Sequence, residues 1–302
     1  MSSIAGIEQP VPNEEAGRMT MEAARERQRV EWALCASAWR RHRTSFTEPG
    51  REITERMLRL AAPRAGQRVL DLACGVGNPA FDLARLVGPE GRVLGLDLSG
   101  PMVAEARTLA AELGAANVEF RTIPGEHELG VPAGGFDVAT CRAGLQYMPD
   151  RRGAVRAVLA ALRPGGRFVA MTLGSAERCM PFQLTNGIVS RHVPLPTGGD
   201  DGDGPVALSS PADLAGLLTG AGFTGVRTEV FEAPIFEAPD PAAAWALFTE
   251  TAGPFIQLLS SLPDETRRAI DEDAERTFAK AFPDGPVRPT GEILLVSGDK
   301  PE

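Results

Sequence analysis

The chain has 302 residues, 43% of them apolar and 24% charged, which excludes a disordered chain and allows a sizeable core in one large domain or two small ones. Thirty-one basic residues against forty acidic ones leave a net charge of −9, which excludes phosphate-backbone binding as the main activity and favours a small-molecule partner over nucleic acid. Cys35, Cys74, Cys141 and Cys179 stand far apart, with no CxxC pair and no Cys/His cluster at metal-ligand spacing, so they read as free thiols of a cytoplasmic protein without a metal site.

In chain order, residues 1–17 read as a loose polar leader and 20–45 and 49–62 as helices. No signal-peptide-like apolar stretch opens the chain, and no run of about 18 apolar residues predicts a membrane span. The first strand is QRVLDLAC (67–74), passing through the turn GVGNP (75–79) into the helical stretch AFDLARLV (80–87). Strands at 92–98, 117–123, 136–142 and 167–173 then alternate with helices at 101–113 and 152–162. Such alternation with short connections predicts right-handed crossovers and a doubly wound, mostly parallel sheet. A short helix near Phe182 to Arg191 and a Gly/Asp-rich surface loop at 194–205 interrupt the rhythm. A helix at 211–222 and strands at 225–236 and 292–298 complete seven strands, with a helical insertion at 240–281 between the last two.

The segment VLDLACGVGNPAF (69–81) carries the chemistry. Gly75 and Gly77 let the backbone turn sharply and let a ligand approach where a Cβ would collide, while the next helix presents its N-terminal amides. Gly75, Gly77 and Ala80 also fit GxGxxG/A with Asp97 at the end of the second strand, a pattern that suits a nicotinamide dinucleotide. Three features point elsewhere. Asp71 on the strand would receive an ammonium but sit badly beside a pyrophosphate; about 66 residues of mostly helical sequence precede the first strand; and LRPGGRF (162–168) forms a helix end, a turn and a fifth strand.

VLDLACGVGN, VLGLDLS and LRPGG together resemble the class I S-adenosylmethionine-dependent methyltransferases, in the small-molecule branch of ubiquinone and menaquinone C-methyltransferases and natural-product methyltransferases. The resemblance implies a Rossmann-like α/β fold in three parts. These are a leader and N-terminal helical lid (1–65), a cofactor-binding core (66–239 and 286–302, with a lid segment at 176–210), and a helical substrate cap (240–285). It further implies that Asp71, Ala73, Gly75 and Gly77 face the methionine part of S-adenosylmethionine and that Asp97 holds both ribose hydroxyls. Leu98 and Met102 flank the adenine, Gly125 and Glu126 stand where relatives place an Asp-Ala pair, and Arg142 and Ala143 lie beside the methionine. Trp39 serves either core packing or closure over the sulfonium.

Relatives carry GLHHM after the fourth strand and an acid at the end of the fifth, where this chain has GLQYM, with Gln146 and Tyr147, and Thr172. Both expected acid/base positions are vacant, which leaves His192 and Tyr147 as catalytic candidates beside their structural readings. Trp245, Leu247, Phe248, Phe255, Ile256, Leu258 and Leu259, with Met180, Phe182, Phe231 and Phe236, predict either an apolar acceptor pocket or a helical face packed on the sheet. The expectation is methyl transfer to oxygen or carbon of a hydrophobic metabolite in natural-product biosynthesis. A cyclase using the fold without net methyl transfer is the alternative, a nicotinamide oxidoreductase a third reading, and a homodimer is compatible with all of them.

Overall fold

The computed structural model describes residues 14–195 and 204–302. In chain order the strands are β1 (Arg68–Leu72), β2 (Arg92–Asp97), β3 (Val118–Thr122), β4 (Phe136–Arg142), β5 (Leu162–Leu173), β6 (Thr224–Pro234) and β7 (Thr290–Asp299). They form a single seven-stranded sheet in the order β3-β2-β1-β4-β5-β7-β6. β1 to β5 pair in parallel, and β7 enters antiparallel between β5 and β6, with Met171 opposite Leu295 and Val230 opposite Leu294. The order runs outward one way from β1 and the other way from β4, so the chain switches direction between them and opens a crevice at their carboxyl ends.

The helices are α1 (Glu14–Arg41), α2 (Arg43–Thr47), α3 (Arg51–Ala61), α4 (Ala80–Val87), α5 (Gly100–Leu113), α6 (Arg151–Ala161), α7 (Met180–Ser190), α8 (Pro211–Ala221), α9 (Pro241–Thr251), α10 (Gly253–Ser260) and α11 (Asp264–Ala281). α5 starts where the Ser99 hydroxyl accepts the Met102 N–H, with Pro101 in its first turn, and α6 where Asp150 accepts the Gly153 N–H. β1 is apolar apart from its first residue and Asp71 and is buried over its last four residues, as a strand covered on both faces requires. One cluster, with Leu70, Leu96, Leu145, Leu162 and Phe168, fills the side covered by α6 and α8, and a second, with Ile53, Met57, Leu83 and Phe120, fills the side covered by α3, α4 and α5.

The structure differs from the sequence expectation in four places. α1 already runs from Glu14, so the expected leader loses its last residues, and positions 1–13 lie outside the described residues. β5 begins at Leu162, because the expected Pro-Gly-Gly turn runs on as strand with Leu162 opposite Phe136. The insertion is three helices, broken at Ala252 and before Pro263. Most of the loop expected at 194–205 lies outside the described residues.

The apolar residues of the insertion do not pack as one face on the sheet. Trp245, Leu247, Phe248 and Leu259 are buried with Ile188, Phe236, Ile270 and Phe278 in a core of their own between α7, α9, α10 and α11. Phe231 lies apart from that core, under the Arg56 guanidinium at 4.2 Å on the opposite end of the sheet from β3. The α1 helix ties this cap to the sheet domain. The Trp39 indole N–H donates to the Thr251 carbonyl at 3.0 Å, His42 bonds Glu250, and Arg40 pairs with Glu105 and Glu112 of α5. Among the described residues no helix is long and apolar enough to cross a membrane.

Candidate active site

Three strand ends build the site. β1 ends in a turn with Ala73 (φ +56°), Gly75 (φ +51°) and Gly77 (φ +103°) in the left-handed region. β4 ends in Ala143 at φ +55°. Two alanines held in a conformation that L-residues avoid, one just after β1 and one just after β4, put backbone strain at the switch point. A Cβ on Gly75 would meet nothing within 4 Å, so space lies open above it, whereas one on Gly77 would stand 2.3 Å from the Phe81 ring. Gly144 lets the two loops touch, since its Cβ would collide with Ala73 at 2.4 Å.

Asp97 closes β2 and locks this loop. Its Oδ2 accepts the Gly75 N–H at 2.8 Å and its Oδ1 the Ser99 N–H at 2.9 Å, which leaves further lone pairs on both oxygens. Burial raises its pKa above the ordinary aspartate value, and the amides of Ser99, Gly75 and Leu98 work against the rise. Leu98 is half-buried, and Met102 is buried with Val76 of the glycine turn, Cys35 and Ala36, under Trp32, Trp39 and Ile256.

Asp71 is fully buried between Gly95 of β2 and Thr140 of β4. The Thr140 hydroxyl donates to its Oδ1 at 2.7 Å, and its Oδ2 has no partner. Burial, with the nearby Asp97 carboxylate, pushes its pKa up to about 7 against the Thr140 hydroxyl, the Arg142 guanidinium and the Ala80 N–H at the start of α4. Arg142 Nε is likewise buried without a partner, and burial lowers its pKa against the fields of Asp71 and Asp82. An unpaired carboxylate oxygen and an unpaired guanidinium nitrogen, each costing about 1–3 kcal/mol when left so, are complementary to a ligand with both an ammonium and a carboxylate.

Other expected residues stand elsewhere. Glu126 does not present a free carboxylate: both its oxygens take the Arg25 Nε–H, at 2.9 and 3.1 Å, and Oε1 also takes the Asp150 N–H at 2.8 Å. Burial alone would raise its pKa, but these donors outweigh it and hold it below the ordinary glutamate value. Gly125 is buried, and a Cβ there would stand 3.0 Å from the His127 ring and 3.3 Å from Arg25 Nε. Trp39 stacks on Phe46 at 4.4 Å while its N–H holds Thr251, so it joins lid to cap as well as covering the glycine turn.

The structure does not bring the two catalytic candidates together. His192 bonds Asp273 of α11 at 3.0 Å, and Asp273 also takes Arg191. Tyr147 meets Trp32 edge-on at 5.1 Å, and burial raises its phenol above the ordinary tyrosine value, so a phenolate base is disfavoured. Cys74 and Cys141 are buried at the strand ends; burial pushes the Cys141 thiol up to about 12. Arg25 and Trp32 escaped the sequence reading because they make contacts far along the chain, and at Gln146, read only as filling a vacant acid/base position, no local pattern marks an unpaired buried amide.

Comparison with known proteins decides the chemistry. The methyltransferase domain family matches residues 63–187. Nocamycin O-methyltransferase of Saccharothrix syringae is 30% identical over 266 residues, covering 82% of this chain and 90% of that protein. The chain belongs to the S-adenosylmethionine-dependent methyltransferases. The ubiquinone/menaquinone biosynthesis C-methyltransferase UbiE of Pseudomonas fluorescens is 36% identical over 139 residues, 46% of this chain and 54% of that protein. The fold matches the YcgJ protein of Bacillus subtilis, with a TM-score of 0.55 at 21% identity over 83% of this chain and 99% of that one. It also matches Haemonchus contortus phosphoethanolamine N-methyltransferase 2 in complex with S-adenosylhomocysteine, with a TM-score of 0.53 at 18% identity over 88% and 57% of the two chains. The family decides against the nicotinamide reading of the glycine turn, and the cofactor of this methyltransferase is S-adenosylmethionine.

Proposed function

We propose that this methyltransferase acts on oxygen of a hydrophobic small metabolite in natural-product biosynthesis. The observation that carries the reading is a similarity to an O-methyltransferase over 82% of this chain and 90% of that protein, well beyond the domain match at residues 63–187. The half-buried side chains of Ile256 on the cap and of Trp32 and Trp39 on α1 give an apolar cover over the glycine turn, which suits an apolar acceptor.

The unpaired atoms of Asp71 and Arg142, the open space above Gly75 and the oriented carboxylate of Asp97 fit the cofactor. Asp71 and Arg142 would hold the ammonium and carboxylate of its methionine part, Gly75 and Ala73 would let that part lie against the backbone, and Asp97 would take the ribose hydroxyls beside Leu98 and Met102. When bound, S-adenosylmethionine supplies an electrophilic methyl group. The protein then contributes position and a dry surround. Tyr147 is disfavoured as a phenolate, and His192 belongs to the contact between the end of α7 and Asp273 of α11, so the reading assigns the acceptor's proton to solvent rather than to either side chain.

Incubation with S-adenosylmethionine and a panel of apolar hydroxylated compounds tests the reading. A product heavier by one methylene, formed in step with S-adenosylhomocysteine release, is the expected result. Product without that release would establish the cyclase alternative instead.

A further inference from the structure

β6 forms one edge of the sheet and β3 the other. An edge strand carries unpaired N–H and C=O groups, and folds guard such edges by keeping them short or charged. β3 is guarded in both ways: it spans five residues, and its Glu119 and Arg121 pair with each other at 2.6 Å. β6 spans eleven residues and carries the same spacing of opposite charges in Arg227 and Glu229. Yet neither of these side chains forms an ion pair or hydrogen bond with a described residue. Arg227, Thr228 and Val230 are exposed, Val230 by 47%.

The direction of the free backbone groups follows from the ladder between β6 and β7. The Ile235 N–H donates to the directly opposite Pro289 carbonyl at 3.0 Å, so this is a hydrogen-bonded pair. The register runs unbroken from Arg227 opposite Ser297 to Pro234 opposite Thr290. Hydrogen-bonded and non-hydrogen-bonded pairs alternate along it, so Arg227, Glu229 and Phe231 turn their N–H and C=O toward β7. Those of Thr228, Val230 and Glu232 point out of the sheet. Pro234, with no N–H to offer, closes the row.

We propose that β6 is the contact surface for a second copy of this chain, paired antiparallel about a two-fold axis at Thr228. In that register the two Thr228 residues exchange N–H···O=C bonds across the axis. Arg227 of each copy lies opposite Glu229 of the other on one face, and Val226 lies opposite Val230 on the other face. Arg227 and Glu229 then form a non-hydrogen-bonded pair, in which side chains stand closest. An axis through Arg227 or Glu229 would set like charges against each other, and a one-residue slip would turn every side chain to the wrong face. The run Val-Arg-Thr-Glu-Val (226–230) is complementary to its own reverse, as a self-matching two-fold contact requires. β5 and β7 separate β6 from the crevice between β1 and β4, so the pairing leaves the site open.

Sedimentation equilibrium of the full chain across the micromolar range tests this, and a monomer–dimer equilibrium is the expected result. Arg227→Glu alone and Glu229→Arg alone each set like charges opposite one another, and each is expected to weaken the dimer about ten-fold or more. A mixture of the two variants is expected to associate, because each copy supplies the charge that the other lacks. The double variant carrying both changes should regain the dimer for the same reason. Thr228→Pro, which removes an outward N–H and none that bonds β7, should leave a monomer with unchanged S-adenosylhomocysteine affinity. If that variant does not fold, the charge variants decide alone. A chain that stays monomeric, a dimer of unchanged strength in the single charge variants, or a mixture that does not associate overturns the proposal.

Discussion

The Gly75 N–H donates to Asp97 Oδ2 at 2.8 Å, which joins the glycine turn after β1 to the carboxylate that ends β2. With Ser99 holding Oδ1, the Asp97 carboxylate has one orientation before any ligand arrives, and the entropy of fixing it is spent in folding rather than in binding. The same bond pins the turn whose open face lies above Gly75.

The two glycines of the turn should separate stability from binding. Gly77→Ala puts a Cβ 2.3 Å from Phe81 at φ +103°, and a loss on the order of 3 kcal/mol in urea unfolding is expected from overpacking plus backbone strain. Gly75→Ala meets no atom within 4 Å, so it should cost only about 1–2 kcal/mol for the left-handed conformation. Its S-adenosylhomocysteine affinity should nevertheless fall at least ten-fold in calorimetry, because the added methyl fills the space the ligand needs.

Asp71 gives the free protein a pH dependence of definite sign. Its folded pKa is pushed up to about 7 from 3.8. Between about pH 4 and pH 7 the folded state therefore keeps a proton that the unfolded chain releases, and stability falls as pH rises through that window. Urea midpoints of the free protein should drop from pH 5 to pH 8, and Asp71→Asn should flatten the drop. A midpoint that rises equally in both proteins would contradict the assignment.

His192→Asn and Tyr147→Phe, made together, should leave kcat within a few-fold of the unsubstituted enzyme, since His192 serves the contact between the end of α7 and α11 and burial keeps Tyr147 protonated. The His192 change is expected to appear instead in the melting temperature, through loss of a tie between the end of α7 and α11. A fall in kcat of a hundred-fold or more would restore a base role to one of them.

The Arg25 and Glu126 pair fastens α1 to the loop before β4. Both side chains are buried, and Glu126→Ala leaves the Arg25 guanidinium with the exposed Glu22 as its carboxylate partner, so the change should cost less than the ~3–5 kcal/mol of a wholly unpaired buried charge. Hydrogen exchange should show α1 opening ahead of the sheet.

Continuous apolar runs made β1, β2 and β4 legible to within about two residues, because strands buried on both faces admit few other patterns. Asp97 and the glycine turn were legible for a different reason: strand, turn and acidic strand end are all local in sequence. Where the Glu126 carboxylate goes was not legible, because the residue that claims it, Arg25, lies 101 positions away and ion pairs leave no periodic trace. The cap residues failed likewise. Their helical spacing was visible, but whether Trp245 and Phe248 faced a pocket, the sheet or Phe278 depends on three-dimensional packing that spacing does not encode.

Titration of S-adenosylhomocysteine into the protein and its Asp97→Ala variant tests the central claim most directly. The account predicts one site per chain with micromolar or tighter affinity, and a loss on the order of a hundred-fold in the variant as hydrogen bonds to a charged group disappear. Absence of binding, or an affinity untouched by removing Asp97, would contradict it.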